Sequence, residues 1–106
     1  MNDVFKAIAD PTRREILLIL AKGSENVNTI AEKFNMSRPA VSKHIKILAE
    51  SNLVRLEQDI NDSRQRNCFA QLEALHEVST YLSKLEAFWA GKLGGLENFL
   101  KKERNS

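Results

Sequence analysis

Residues 27–48 read VNTIAEKFNMSRPAVSKHIKIL, and this stretch decides the fold. Val27, Ile30, Ala31 and Phe34 fall on one helical face, so a helix is predicted over about Val27–Phe34. Asn35-Met36-Ser37 interrupts it. Ser37 is a residue type that caps a helix start, and Pro39 suits the first turn of a following helix. That helix is predicted to run to about Glu50, with Val41, Ile45 and Leu48 turned inward. Two short helices joined by a three-residue turn describe a helix-turn-helix.

Upstream, Asp10-Pro11-Thr12 predicts a helix start, with Asp10 as cap and Pro11 in the first position. The run Ile16–Leu20 is apolar nearly all round, which predicts a central buried helix, and Gly23 closes it. Val4, Phe5 and Ile8 sit at helical spacing and predict a short first helix. Downstream, Leu53–Ile60 has strand character, Asn61-Asp62-Ser63 is turn-rich, and Arg64–Ala70 returns as a partner strand. A long amphipathic pattern then begins at Leu72 and continues through Leu75, Val78, Leu82, Leu85, Trp89, Leu93, Leu96 and Leu100. The order is four helices, a two-stranded hairpin and a long C-terminal helix: a mainly α (α+β) winged helix-turn-helix. One domain over residues 1–106 is expected, with 72–104 as a dimerisation helix. Gly91, Gly94 and Gly95 leave open whether that helix is kinked or broken at 91–95.

The 106 residues are 42% hydrophobic and 28% charged, an ordinary globular composition rather than a disordered one. The longest apolar run, Ile16–Ala21, is far short of the roughly 18 residues a membrane span needs. The opening residues lack the pattern of a secretory signal, and the single cysteine, Cys68, suits a reducing cytosol. A cytoplasmic protein without membrane partners is therefore expected. Sixteen Lys+Arg against fourteen Asp+Glu give a net charge of +2, so bulk charge decides nothing. Its distribution does.

From Lys33 to Ala49 no acidic residue occurs, whereas Lys33, Arg38, Lys43 and Lys46 are basic. With Val41, Ile45 and Leu48 inward, Arg38, Ser42, Lys43 and Lys46 form the outer face of the fourth helix. Such side chains reach phosphates and base edges, and Ser37 sits at the helix N-terminus, where phosphate is favoured. Arg64 and Arg66 follow the hairpin turn at alternating spacing and share one strand face. Asp59 and Asp62 lie close by, so the wing reads equally as a DNA contact and as a solvated loop. No phosphate loop, nucleophilic triad or paired-carboxylate arrangement is present, so no enzyme activity is expected. Cys68 reads as a small buried hydrophobe, and a redox role would need an interchain bridge.

The segments DPTRREIL (10–17), IAE (30–32) and SRPAVSKHIKIL (37–48) resemble the ArsR/SmtB family of bacterial transcriptional repressors. The likeness covers about residues 3–72. It implies a homodimeric winged-helix repressor bound to a palindromic operator in double-stranded DNA, with Arg38, Ser42 and Lys43 facing DNA. His44 joins that set because a histidine is frequent there in the family. The founding members hold metal through cysteines on the helix equivalent to Val27–Phe34, and this segment has none. The C-terminal helix offers only His76, with Glu73 and Glu77 beside it, so no metal and no cofactor is expected.

The apolar stripe of the last helix exceeds what so small a core covers, so a partner helix is the economical explanation, with a helix folded back on its own chain as the other reading. The expected dimer surface comprises Val4, Phe5 and Ile8 with Leu75, Val78, Leu82, Leu85, Phe88 and Trp89. The basic end, Lys101, Lys102 and Arg104, reads as a solvated tail or an extra DNA contact. Two other readings stand beside the repressor: a protein-binding winged helix without DNA affinity, and a repressor gated by an unidentified small molecule or redox signal.

Overall fold

The computed structural model describes the backbone of residues 3–104 and the side chains of residues 3–92. Helix α1 spans Val4–Ile8, α2 Pro11–Ala21, α3 Val27–Glu32, α4 Arg38–Glu50 and α5 His76–Arg104. Strands β1 (Glu25–Asn26), β2 (Val54–Gln58) and β3 (Arg66–Ala70) form one antiparallel sheet in the order β1-β3-β2. A single 3-10 turn, Leu72–Leu75, precedes α5. Two compact units result, residues 1–76 and 77–106.

Each short helix starts where a polar side chain satisfies amides that the helix cannot. Asp3 accepts from the amides of Phe5 (2.7 Å) and Lys6 (3.1 Å), and Asp10 accepts from that of Arg13 (3.0 Å). Asn26 caps α3 through the amide of Asn28 (2.7 Å), and Ser37 caps α4 through that of Ala40 (3.3 Å). Helix α4 ends at Glu50, and two residues on, Asn52 turns the chain with a φ of 62°, in the left-handed region that asparagine tolerates better than most residues.

The core of the first unit joins Ile16, Ile30, Val41, Ile45, Leu48, Leu53 and Cys68, all fully buried. Cys68 pairs with Glu25 on one side and Leu56 on the other, so it lies in the central strand. Burial pushes its thiol up to about 11, which leaves it a protonated, unreactive core residue.

Several boundaries depart from the sequence reading. The sheet has three strands, because Glu25–Asn26 pairs with β3; a two-residue strand leaves no alternation to read. Helix α2 is not buried all round: Leu18 is 59% exposed, and the helix faces the core through Ile16, Leu17 and Leu20. The hairpin strands are shorter than expected because the carboxylates of Asp59 and Asp62 draw nearby amides into the turn. Helix α5 continues as one helix past Gly91, Gly94 and Gly95 to Arg104. The side chains of Leu93, Leu96, Leu100, Lys101, Lys102 and Arg104, assigned above to a stripe and a basic end, lie outside the described residues.

Candidate nucleic-acid interface

Helix α4 is pinned through its apolar face, with Val41, Ile45 and Leu48 almost wholly excluded from solvent. Burying three such side chains contributes several kcal/mol, about 1.5–3 for each, and fixes which face looks outward. Arg38, Lys43 and Lys46 are exposed on that outer face, and Ser42 is half-buried beside them. Ser37, exposed at the N-cap, spends its hydroxyl lone pair on the helix amide.

The wing meets this helix across a cleft of about 280 Å³. Arg38 and Ser42 from α4 and Arg64 and Arg66 from the hairpin line it, over Val27, Ile45 and Leu56. Residues read separately as helix and wing contacts thus share one cavity. Arg64 is held by Asp62, whose Oδ1 lies 3.3 Å from its Nε. Among the described residues Arg38, Arg66, Lys43 and Lys46 have no carboxylate partner, so the surface carries uncompensated positive charge.

Two asparagines, unremarked in the sequence, organise this surface. Arg38 Nε donates to Oδ1 of Asn28, which leaves both terminal nitrogens of its guanidinium available for a bidentate contact. Asn26 donates to Oε1 of Gln65, tying the cap of α3 to the hairpin. No motif signals either contact; the first depends on how α3 packs on α4, the second on sheet pairing that brings the wing to α3.

His44 departs from the expected set. Its ring turns toward α2, with 19% of the side chain exposed, and Nδ1 lies 3.2 Å from Nη1 of Arg13 and 3.9 Å from Oδ2 of Asp10. It sits on the recognition helix but does not line the cleft. The Asp10 carboxyl feels opposed influences: burial raises it, while the Arg13 amide and the His44 and Arg13 charges lower it, and the lowering prevails.

The apolar residues assigned to a dimer surface divide. Val4 is buried in its own core, Phe5 is exposed, and Ile8 and Leu75 are half-buried. On α5, Val78 is half-buried, whereas Tyr81, Leu82, Leu85, Phe88 and Trp89 are exposed, the last two by 59% and 58%. Among the described residues no three His, Cys, Asp or Glu side chains come together to hold a metal ion. No described helix is long and apolar enough to cross a membrane.

A three-residue break between α3 and α4, followed by a hairpin whose arginines share a cleft with α4, defines a winged helix-turn-helix. The family profile described as "Bacterial regulatory protein, arsR family" matches residues 10–55. The crystal structure of the ArsR family transcriptional regulator RHA00566 is 34% identical, with a TM-score of 0.71 over 81% of this chain and 86% of that one. The chain belongs to the ArsR family. An ArsR-like regulator from Rhodococcus sp. RHA1 superposes with a TM-score of 0.72 at 25% identity, covering 93% of this chain and 88% of that chain. The transcriptional repressor SdpR of Bacillus subtilis is 50% identical over 54 residues, 51% of this chain and 60% of its own length. The chain spans 47% and 44% of two regulators from Mycobacterium tuberculosis.

Proposed function

We propose that this chain is a transcriptional repressor that binds palindromic duplex DNA as a homodimer in the cytoplasm, with no catalytic role. The observation that carries the reading is the shared cleft: Arg38 and Ser42 of α4 face Arg64 and Arg66 of the wing. Helix residues in the major groove read base edges, and wing arginines hold the flanking backbone. Lys43 and Lys46 extend the charged surface along the helix. SdpR, half identical over the matched segment, is named a repressor, which favours repression over activation.

Homodimerisation is supported by the exposed aromatic and leucine side chains of α5, too large an apolar surface to leave in water. A groove of about 390 Å³ lined by Ile8, Leu17, Leu18, Leu72 and Leu75 adds apolar surface within the first unit. A second copy supplies the matching surface by symmetry.

Selection of duplexes from a random pool tests the reading. A palindromic consensus is expected, with affinity falling steeply as salt rises because each neutralised phosphate releases counterions. Recovery of no enriched duplex, with binding no tighter than that of an acidic control protein, sinks it.

A further inference from the structure

Two adjacent arginines of α2 bond the last three carbonyls of α1 and that of its C-cap, Ala9. Arg13 donates from Nε to the carbonyl of Ala7 (2.6 Å) and from Nη2 to that of Lys6 (3.0 Å). Arg14 donates from Nη1 to the carbonyls of Ile8 (2.9 Å) and Ala9 (3.0 Å). A five-residue helix leaves most of its last carbonyls without helical partners, the Lys6 carbonyl alone accepting from the Ala9 amide, and these bonds tie its end to α2. One nitrogen of Arg13 is left over. Nη1 points away from α1 to Nδ1 of His44, across 3.2 Å, on α4.

A guanidinium only donates, so this contact requires Nδ1 to accept, as it does in the tautomer with its proton on Nε2. A second proton would fill Nδ1 and set a donor against a donor. Asp10 stands ready on the other side, with Oδ2 at 3.9 Å from the same nitrogen. That oxygen already caps α2 through the Arg13 amide, so a protonated ring would compete for the cap. Among the described residues the charged groups in contact with the imidazole are Arg13 of α2 and Asp10 at its N-cap.

We infer that Arg13 and His44 form a proton-sensitive latch between α1 and the recognition helix, which makes Arg13 a positioning residue for DNA binding. The neutral ring holds α4 against the arginine that also clamps α1. Protonation breaks the Arg13 contact and shifts His44 toward Asp10, while the apolar face of α4 keeps the helix in place. The DNA consequence rests on the reading of α4 proposed above; the latch itself does not.

The full chain is tested in two arms. In the free protein, nuclear magnetic resonance follows the amides of Lys6, Ala7 and Ile8 while the two imidazoles titrate. These amides are expected to shift with His44 in the wild type and in His76→Gln, and to be still in His44→Asn, which keeps an acceptor but cannot take the proton. In the second arm, a fluorescein-labelled duplex selected from a random pool is titrated from about pH 7.5 to about pH 5.5. Wild type and His76→Gln should weaken by about threefold or more, His44→Asn should stay flat, and Arg13→Lys should be weaker at the upper pH and flat.

Amides of α1 indifferent to His44 overturn the latch. So does a wild-type profile that is flat, that tightens on acidification, or that persists in His44→Asn. Absence of duplex binding at every pH condemns the DNA reading instead, and the first arm still decides the latch. Should Arg13→Lys not fold, the comparison of His44→Asn with wild type decides in its place.

Discussion

Asn67 donates across the wing to Asp59, with 3.2 Å between Nδ2 and Oδ2, while Oδ1 of the same carboxylate accepts from the amides of Asn61 (2.8 Å) and Asp62 (3.2 Å). One side chain thus organises the hairpin tip that carries Arg64. The Asn61 amide, the Asn67 side chain and the Asp62 amide, in that order, hold the Asp59 carboxyl below its ordinary value. A lowered value means that the contribution is full above the ordinary carboxylate range and is lost as pH falls through the lowered value. Asp59→Ala is expected to speed hydrogen exchange at Asn61 and Asp62 without moving that of the core. In the wild type, protection there, corrected for the intrinsic pH dependence of exchange, should fall only below about pH 4. Unchanged exchange in the variant would refute this account of the tip.

Asp10 caps α2 and lies close to His44, so its removal is felt beyond one helix end. Asp10→Ala should cost about 1 kcal/mol, and a domain this size then melts about 4–8 °C lower. Its carboxyl is also lowered on balance, so the difference between variant and wild type should be full near neutrality and shrink as pH drops toward the acid range. Thermal melts at several pH values check both the size and the sign. A difference that grows as pH falls below about 4 contradicts the cap.

Arg38 and Lys43 share the outer face of α4 but differ in fixation. Asn28 orients the Arg38 guanidinium, whereas Lys43 has no carboxylate partner among the described residues. Arg38→Ala should therefore relax sequence preference and cost about 1–3 kcal/mol on the selected duplex. Lys43→Ala should weaken all duplexes evenly and reduce the salt slope by about one counterion. Binding by both variants within twofold of wild type, with the fold intact, would exclude the groove assignment.

How far the sequence led depended on the range of each contact. Helices and caps were legible because their signals are local: Asp10 before Pro11, Ser37 before Pro39, and Val41, Ile45 and Leu48 at helical spacing. The third strand was not, since two residues, Glu25 and Asn26, carry no period and gain strand character only by pairing with β3. The basic face of α4 was visible as an acid-free run, yet the direction of His44 was not. Helical position 44 lies between the inward and outward faces, and only the packing of α2 against α4 shows that Arg13 claims it. The guanidinium that ties these helices is 31 residues away in sequence, beyond any local pattern.

Cys68 offers a direct check on the central strand. Its thiol is fully buried and pushed up to about 11 by burial, so the thiolate is scarce at neutral pH. Native protein should resist thiol-reactive dyes that label it promptly in denaturant. Cys68→Ser puts an unpaired hydroxyl among apolar neighbours and should cost about 1–3 kcal/mol. Rapid native labelling at full stoichiometry would place the thiol elsewhere than the core.

Exposed aromatics on α5 make the strongest demand on the assembly. Phe88 and Trp89 leave more than half of their surfaces in water, and Leu85 and Leu82 lie exposed one and two turns earlier. Such a face on an isolated helix is costly, and large aromatics dominate binding energetics once a partner covers them. A two-fold dimer also sets two recognition helices about 34 Å apart, one DNA turn, which a palindromic site requires. Replacing Leu82 and Leu85 with glutamate should bury unpaired charge in the interface and favour monomers. Because pairing tethers the second half-site to the first, DNA affinity should fall by far more than the loss of any one contact. Sedimentation of the wild-type chain decides the matter before any variant is made. A dimer at tens of micromolar is expected, and a stable monomer near 12.0 kDa would eliminate the homodimer.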